Sequence, residues 1–231
     1  MKSAMMLASL LSVVLPAAAE AAKPAPHAVA QNWLKVSART RDGAIVVGNP
    51  AAKVKIVEYL SLTCPHCALM AGQSMAPLKR DYIAKGIASF EVRHAVRDGY
   101  DFVGSLLVRC QPATDYLDAM ELLFSTQESW IAKAMAAKDD AAFEAENPDQ
   151  KMVSVAHSAG FDALFAKRGM TPQRFSACMA NKAAKQQLGE MADKAWNADK
   201  IPGTPAFRIN GTMQGSLASW AELEKAIKAA L

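Results

Sequence analysis

The chain has 231 residues, 52% hydrophobic and 21% charged, a composition that supplies a sizeable buried core and excludes long disorder. Its 26 basic and 22 acidic residues leave a formal charge of +4 with no Lys/Arg run longer than two, so nucleic acid is excluded as a partner.

In chain order, the first feature is a basic Lys2, an apolar run from Ala4 to Leu15, and the small residues Pro16 to Ala19. This pattern predicts an export signal over residues 1–19, cleaved near Ala19. The competing reading is a membrane anchor, but the run is about 12 residues where a spanning helix needs about 20. Export of this type leads to the periplasm, an oxidising compartment where disulfides persist. Residues 20–32, rich in Ala and Pro, read as a flexible lead-in.

The ordered body is expected to start near Trp33. Ala44 to Val47, closed by Gly48-Asn49-Pro50, and the β-branched run Val54 to Leu60 read as strands. Ser61-Leu62-Thr63-Cys64-Pro65-His66-Cys67 follows directly and opens a helix to about Lys85, which Pro77 should kink. Ser89 to Ala95 is a further strand. A helical stretch then runs to about Asp199, broken at Gln111-Pro112, Asn147-Pro148, Gly160 and Gly169 to Pro172, with Thr171 and Pro172 as cap and first helical residue. Gly203-Thr204-Pro205 precedes a strand at Ala206 to Ile209, Asn210-Gly211 turns into a short strand near Met213, and Ser219 to Glu222 matches a capping box opening a last helix.

Two cysteines separated by two residues at a strand-to-helix junction can close a redox-active disulfide ring. Cys64 falls where the helix starts, so unpaired N–H groups and the positive end of the helix dipole favour its thiolate. A protonated His66 would add positive charge beside it. Cys67 lies one turn further in and suits a buried resolving thiol. Zinc could take the same pair, but Cys110 and Cys178 stand alone and no second close pair completes a zinc ribbon. A structural short-loop disulfide is the third reading, and it stabilises little. Gly203-Thr204-Pro205 is a candidate cis-proline facing the sulfurs, since proline has no N–H and leaves Thr204 free to pair with an incoming peptide.

The run Val57 to Cys67, ending in Cys-Pro-His-Cys, together with Thr204-Pro205 and the helices between, resembles the DsbA family of bacterial periplasmic dithiol oxidases. The resemblance spans essentially the whole mature chain. It implies an α/β thioredoxin-like fold with an inserted all-helical domain: residues 33–100 and 200–231 form the thioredoxin-like part and residues 101–199 the insertion. It further implies that Cys64 is the exposed nucleophile, Cys67 its partner, Pro65 and His66 the residues between them that tune it, and Pro205 the cis-proline. Glu58 falls where the family carries a buried acid that assists proton transfer to the inner thiol, the alternative being a solvated carboxylate at the strand end. Thr204 stands where the best-known DsbA pattern has Val, and disulfide isomerases often have Thr there.

An even cysteine count in an oxidising compartment favours a Cys110–Cys178 bridge closing about 69 residues, worth about 4 kcal/mol on the chain-entropy model, with two buried free thiols as the other possibility. Some α-proteobacterial relatives of the family carry a similar bridge. His27, His94 and His157 read as surface or satisfied core residues, while Met70, Met75, Met179 and Met191 read as core filling and Met213 as part of an apolar groove.

The expected function is an exported dithiol oxidase that donates the Cys64–Cys67 disulfide to unfolded or partly folded secreted proteins and is reoxidised by a DsbB-like membrane oxidase. No cofactor and no metal are implied. Only about 25 residues lie between the signal and the first strand, too few for a dimerisation domain, so a monomer is expected. The alternatives are a disulfide isomerase or reductase of the same fold, and a copper- or zinc-binding protein using Cys64, Cys67 and His66.

Overall fold

A computed structural model describes residues 31–136 and 147–231. The expected signal, most of the lead-in and His27 lie outside the described residues. Gln31 to Leu231 form one compact unit, so the helical stretch is not a body apart from the sheet.

Six strands pair among the described residues: β1 (Ser37–Arg39), β2 (Ile45–Gly48), β3 (Val54–Leu60), β4 (Ala88–His94), β5 (Ala206–Ile209) and β6 (Thr212–Met213), in the order β1-β2-β4-β3-β5-β6. The β-branched and aromatic run Val54 to Leu60 makes β3 a central strand, and its last three residues are all buried. It runs parallel to β4, from Val54 opposite Ala88 to Leu60 opposite His94, and antiparallel to β5. Asn210 (φ 48°) and Gly211 (φ 84°) both take the left-handed conformation that a two-residue hairpin turn between β5 and β6 requires. β1 was not expected from the sequence: three residues, two of them exposed, carry no alternating pattern, and pairing with β2 defines the strand.

Helix α1 (Pro65–Pro77) crosses between β3 and β4. It passes directly after Pro77 into a wider turn over Leu78–Ile83, where Ala84 N donates to Lys79 O five residues back. Proline, lacking an N–H, marks the change of winding rather than the end of the helix. Next come α2 (Gly99–Arg109), α3 (Tyr116–Ser125), α4 (Gln127–Ala136), α5 (Pro148–Ser158), α6 (Phe161–Ala166), α7 (Pro172–Ala180) and α8 (Lys182–Asp193). The Thr171 hydroxyl caps α7 with Pro172 at its first position. Ser219 caps the last helix, α9 (Trp220–Ala229), but Glu222 reaches back to the N–H of Ala218 at 2.7 Å, one residue beyond the cap, so the capping box is not closed.

The helices and the sheet share one apolar core. Leu106, Leu123, Trp130 and Phe161 belong to the same buried cluster as Leu62, Met70 and Phe90. Gly104 sits at the junction: a Cβ there would stand 3.2 Å from Leu62 Cδ1 and 3.3 Å from Leu123 Cδ1, so glycine lets α2 approach this closely without displacing either leucine. Met70, Met75, Met179 and Met191 are all buried, and Met213 packs on a smaller cluster around Tyr59 and Ile201.

Cys110, at the C-terminal end of α2, is bonded to Cys178 on α7 across 68 residues. Closing a loop of this length removes about 4 kcal/mol of freedom from the unfolded chain. Replacing both cysteines by Ala should therefore lower the melting temperature by about 10 °C in a calorimetric scan, with the secondary-structure spectrum unchanged below the transition.

Candidate active site

Cys64 takes the N-cap position of α1 in an extended conformation, with Pro65 at the first helical position. Its sulfur closes no capping hydrogen bond, yet it stands where the backbone N–H groups of His66 and Cys67 favour its thiolate. On the other side, β5 begins at Ala206 opposite Tyr59 of β3, which sets the preceding Thr204-Pro205 beside the strand end that leads to Cys64. The Thr204–Pro205 bond is cis, and Cys64 Sγ donates to Thr204 O at 3.1 Å. The Thr204 hydroxyl is buried without a conventional partner, and it too lies within reach of the Cys64 sulfur.

The two thiols are free and sit in opposite surroundings. A hydrogen bond from Cys67, then one from the Thr204 hydroxyl, then the N–H groups of Cys67 and His66 pull the Cys64 pKa well below that of an ordinary thiol, against the opposing effect of burial. The Cys67 pKa is pushed far up, first by burial, then by its bond to Cys64 and by the Glu58 charge. Glu58 is buried at 3% exposure, not a solvated strand-end group, and burial together with the Cys64 charge raises its pKa to about 8. A carboxyl that holds its proton at neutral pH thus faces the inner thiol.

One expectation needs correction. Cys64 is only 2% exposed where the resemblance implies an exposed nucleophile, because Thr204-Pro205 and the first turn of α1 close over the sulfur. His66, like Pro65, is exposed, and its backbone N–H favours the Cys64 thiolate. The His66 ring instead lines a cleft of about 340 Å³ together with Leu69, Gly203, Pro205, Gln214 and Leu217. A larger, more apolar cavity of about 560 Å³ among α5, α6 and α7 contains neither thiol and is not the reactive centre.

Sequence reasoning missed the groups that fix the Ser61–Cys64 loop. Asp101 on α2, fully buried, accepts from Leu62 N at 2.8 Å and from Arg97 N at 3.0 Å, and burial raises its pKa to about 6. Gln127 on α4 donates to Leu62 O at 2.7 Å and to Cys64 O at 3.0 Å. Asp98 and Arg97 hold Thr63 from outside. Asp98 and Asp101 read in sequence as ordinary helix-start acids, and nothing local distinguishes Gln127. Among the described histidines, His94 is buried against the Tyr116 hydroxyl at 2.7 Å and His157 pairs with Asp162 at 2.9 Å, both away from the sulfurs. No group of three or more His, Cys, Asp or Glu among the described residues could hold a metal.

Comparison with known proteins matches residues 40–229 to the thioredoxin family model. The protein-disulfide isomerase of Novosphingobium aromaticivorans superposes with a TM-score of 0.74 at 31% identity, over 81% of this chain and 97% of that one. Wolbachia pipientis alpha-DsbA1 superposes with a TM-score of 0.65 at 21% identity, over 80% and 89% of the two chains, and shows the fold. A Rickettsia bellii chain named as a protein-disulfide oxidoreductase is 25% identical over 87% of this chain and 68% of its own length, and its Rickettsia felis counterpart is 24% identical over 79% and 59%. The chain therefore spans about two thirds of the length of these curated relatives.

The buried Glu58 makes a signed prediction. Its carboxyl ionises near 4.5 when unfolded and near 8 when folded, so between these values the native state holds the extra proton and loses stability as pH rises. Glu58→Gln removes this term. Denaturant unfolding of the reduced proteins should show the variant gaining on the parent from about pH 5 to about pH 8 and no further above; a constant difference across that range would mean that Glu58 is ionised throughout.

Proposed function

The chain belongs to the thioredoxin family, and on that premise we propose that this protein-disulfide oxidoreductase works as an exported dithiol oxidase. The observation that carries the direction is the covered thiolate of Cys64. Hydrogen bonds from Cys67, Thr204 and the α1 N-terminus favour the reduced form and so make the Cys64–Cys67 disulfide a strong oxidant.

The reaction takes two exchanges. A substrate thiolate attacks Cys64 Sγ of the disulfide; a bond forms between substrate and Cys64, and the Cys64–Cys67 bond breaks. Cys67 leaves as a thiolate in surroundings that disfavour it, and the proton held on Glu58 is placed to neutralise it. A second substrate thiolate then attacks the substrate sulfur of the mixed disulfide and releases Cys64 as the stabilised thiolate. The substrate dithiol is oxidised and the Cys64–Cys67 pair reduced, two electrons in all. The carbonyl and N–H beside Pro205 offer the substrate backbone a partner, and the cleft beside His66 receives its side chains.

Substrates in this reading are reduced secreted proteins, a DsbB-like membrane oxidase restores the disulfide, and the protein acts as a monomer. The N-terminal signal pattern and the Cys110–Cys178 bridge support a periplasmic location. Among the described residues no helix is long and apolar enough to cross a membrane. An isomerase reading is favoured by two observations, the name of the Novosphingobium relative and a threonine before Pro205.

Equilibration with glutathione buffers distinguishes the two. An oxidase has a potential above about −150 mV and oxidises a reduced unfolded protein faster than it reshuffles a mispaired one; a potential near −200 mV with fast reshuffling would overturn the oxidase assignment. Thr204→Val, which removes only the hydroxyl, should raise the Cys64 pKa by about one unit, read by thiolate absorbance near 240 nm. The potential should fall by about 30 mV, the equivalent of losing one hydrogen bond to a charged group.

A further inference from the structure

A second cavity, of about 530 Å³, lies where α2 ends, α7 passes and α8 begins, and it is lined by Arg39, Arg109, Arg174, Asn181, Gln187 and the Cys110–Cys178 bridge. Among the described residues no acidic one lines it. Among the described residues none of its three guanidinium groups has a carboxylate within ion-pair distance, although Arg80, Arg93 and Arg208 elsewhere each have one.

Arg109 is the unusual member. It is only 4% exposed, its protons go to the neutral oxygens of Gly43 and Gln187 and to Met191 Sδ, and among the described residues its Nε has no partner. The Asp42 charge reaches it but is already paired with Arg93 and Lys194, so this buried guanidinium among neutral acceptors is left short of counter-charge. The backbone is shaped around it: Gly43 has φ 83°, and a Cβ there would stand 2.7 Å from Arg109 Nη2 and 2.3 Å from Gln187. Arg39 is fixed beside it, donating to Arg109 O at 2.8 Å.

The same cavity receives the N-terminus of α8, a helix of 12 residues. Asn181 Oδ1 takes the N–H of Ala184, which leaves those of Lys182 and Ala183 without an intrahelical acceptor. Side-chain charge and helix dipole therefore have the same sign at one place, the arrangement that receives oxyanions. Capping of the α2 carbonyl end accounts for Arg39, and the bonds to Gly43 and Gln187 hold Arg109. Neither accounts for Arg174, which is exposed on α7 and whose side chain makes, among the described residues, only a 3.5 Å contact with Gly169 O.

We propose that this cavity binds a small organic polyanion, whose carboxylate or phosphoryl groups seat on Arg39, Arg109, Arg174 and the first turn of α8. The volume admits a molecule with more than one anionic group rather than a single inorganic ion. Bound there, the ligand bridges β1, α2, α7 and α8 around the Cys110–Cys178 bond and stabilises the folded chain by mass action.

The test is titration calorimetry of the full chain in low-salt buffer with citrate and, separately, with inorganic phosphate, alongside melting curves at the same concentrations. Citrate should bind saturably at one site, more tightly than phosphate, and raise the melting temperature. Arg174→Ala, whose side chain is exposed and far from Cys64, should weaken citrate binding at least tenfold while disulfide exchange is unchanged, and Arg39→Lys should weaken it through loss of the planar fork. Absence of saturable binding by citrate would overturn the proposal, as would phosphate binding at least as tightly, or citrate binding equally in both variants. Arg39 would then serve only as a cap on α2, and Arg109 only as a tie to Gly43 and Gln187.

Discussion

The hydrogen-bonded contact between Cys64 and Cys67 is the interaction on which the rest of the site depends. It places one sulfur where donors converge and the other where burial and a carboxyl oppose any charge. A helix N-terminus alone would lower both thiols to some degree, since each lies within the first turn. What separates them is depth: Cys64 caps the helix against Thr204, while Cys67 points into the core above Glu58. The energy difference between the two thiolates is the driving force that disulfide exchange draws on.

That separation requires the loop before α1 to stay fixed, and the helical segment supplies the fixing. Leu62 gives its N–H to Asp101 and its carbonyl to Gln127, so two helices hold one peptide segment from opposite ends of its hydrogen-bonding capacity. The Gly104 contact brings α2 near enough for Asp101 to reach. The helical segment is thus a structural part of the loop that carries Cys64 as much as a cover for it.

Much of this was legible in the sequence wherever the signal was local. Cys64 before Pro65, the strand Val54 to Leu60, the Asn210-Gly211 turn and the Thr171-Pro172 helix start all act within a few residues, and pattern reading reaches that far. Thr204-Pro205 was legible only when set against the Cys-x-x-Cys pair 140 residues before it, and Glu58 only through the family resemblance. Asp101 and Gln127 were missed for the same reason: a buried carboxylate and a buried amide look in sequence like any surface acid and any surface glutamine. The backbone N–H of His66, which favours the Cys64 thiolate, was not legible, because a ring is visible in a sequence and the direction of an N–H is not.

The 2% exposure of Cys64 has a consequence for which molecules can reach it. A low-pKa thiolate standing in open water is the form most easily converted by peroxide to sulfenic acid and beyond. Here the sulfur is shuttered by Thr204 and Pro205, so a reagent approaching from solvent meets backbone before it meets the thiolate. An extended polypeptide can dock along that backbone and displace the shutter as it binds, which a compact folded surface cannot do. In the proposed reaction the cover would therefore act as a kinetic filter, reserving the Cys64 sulfur for chains not yet folded.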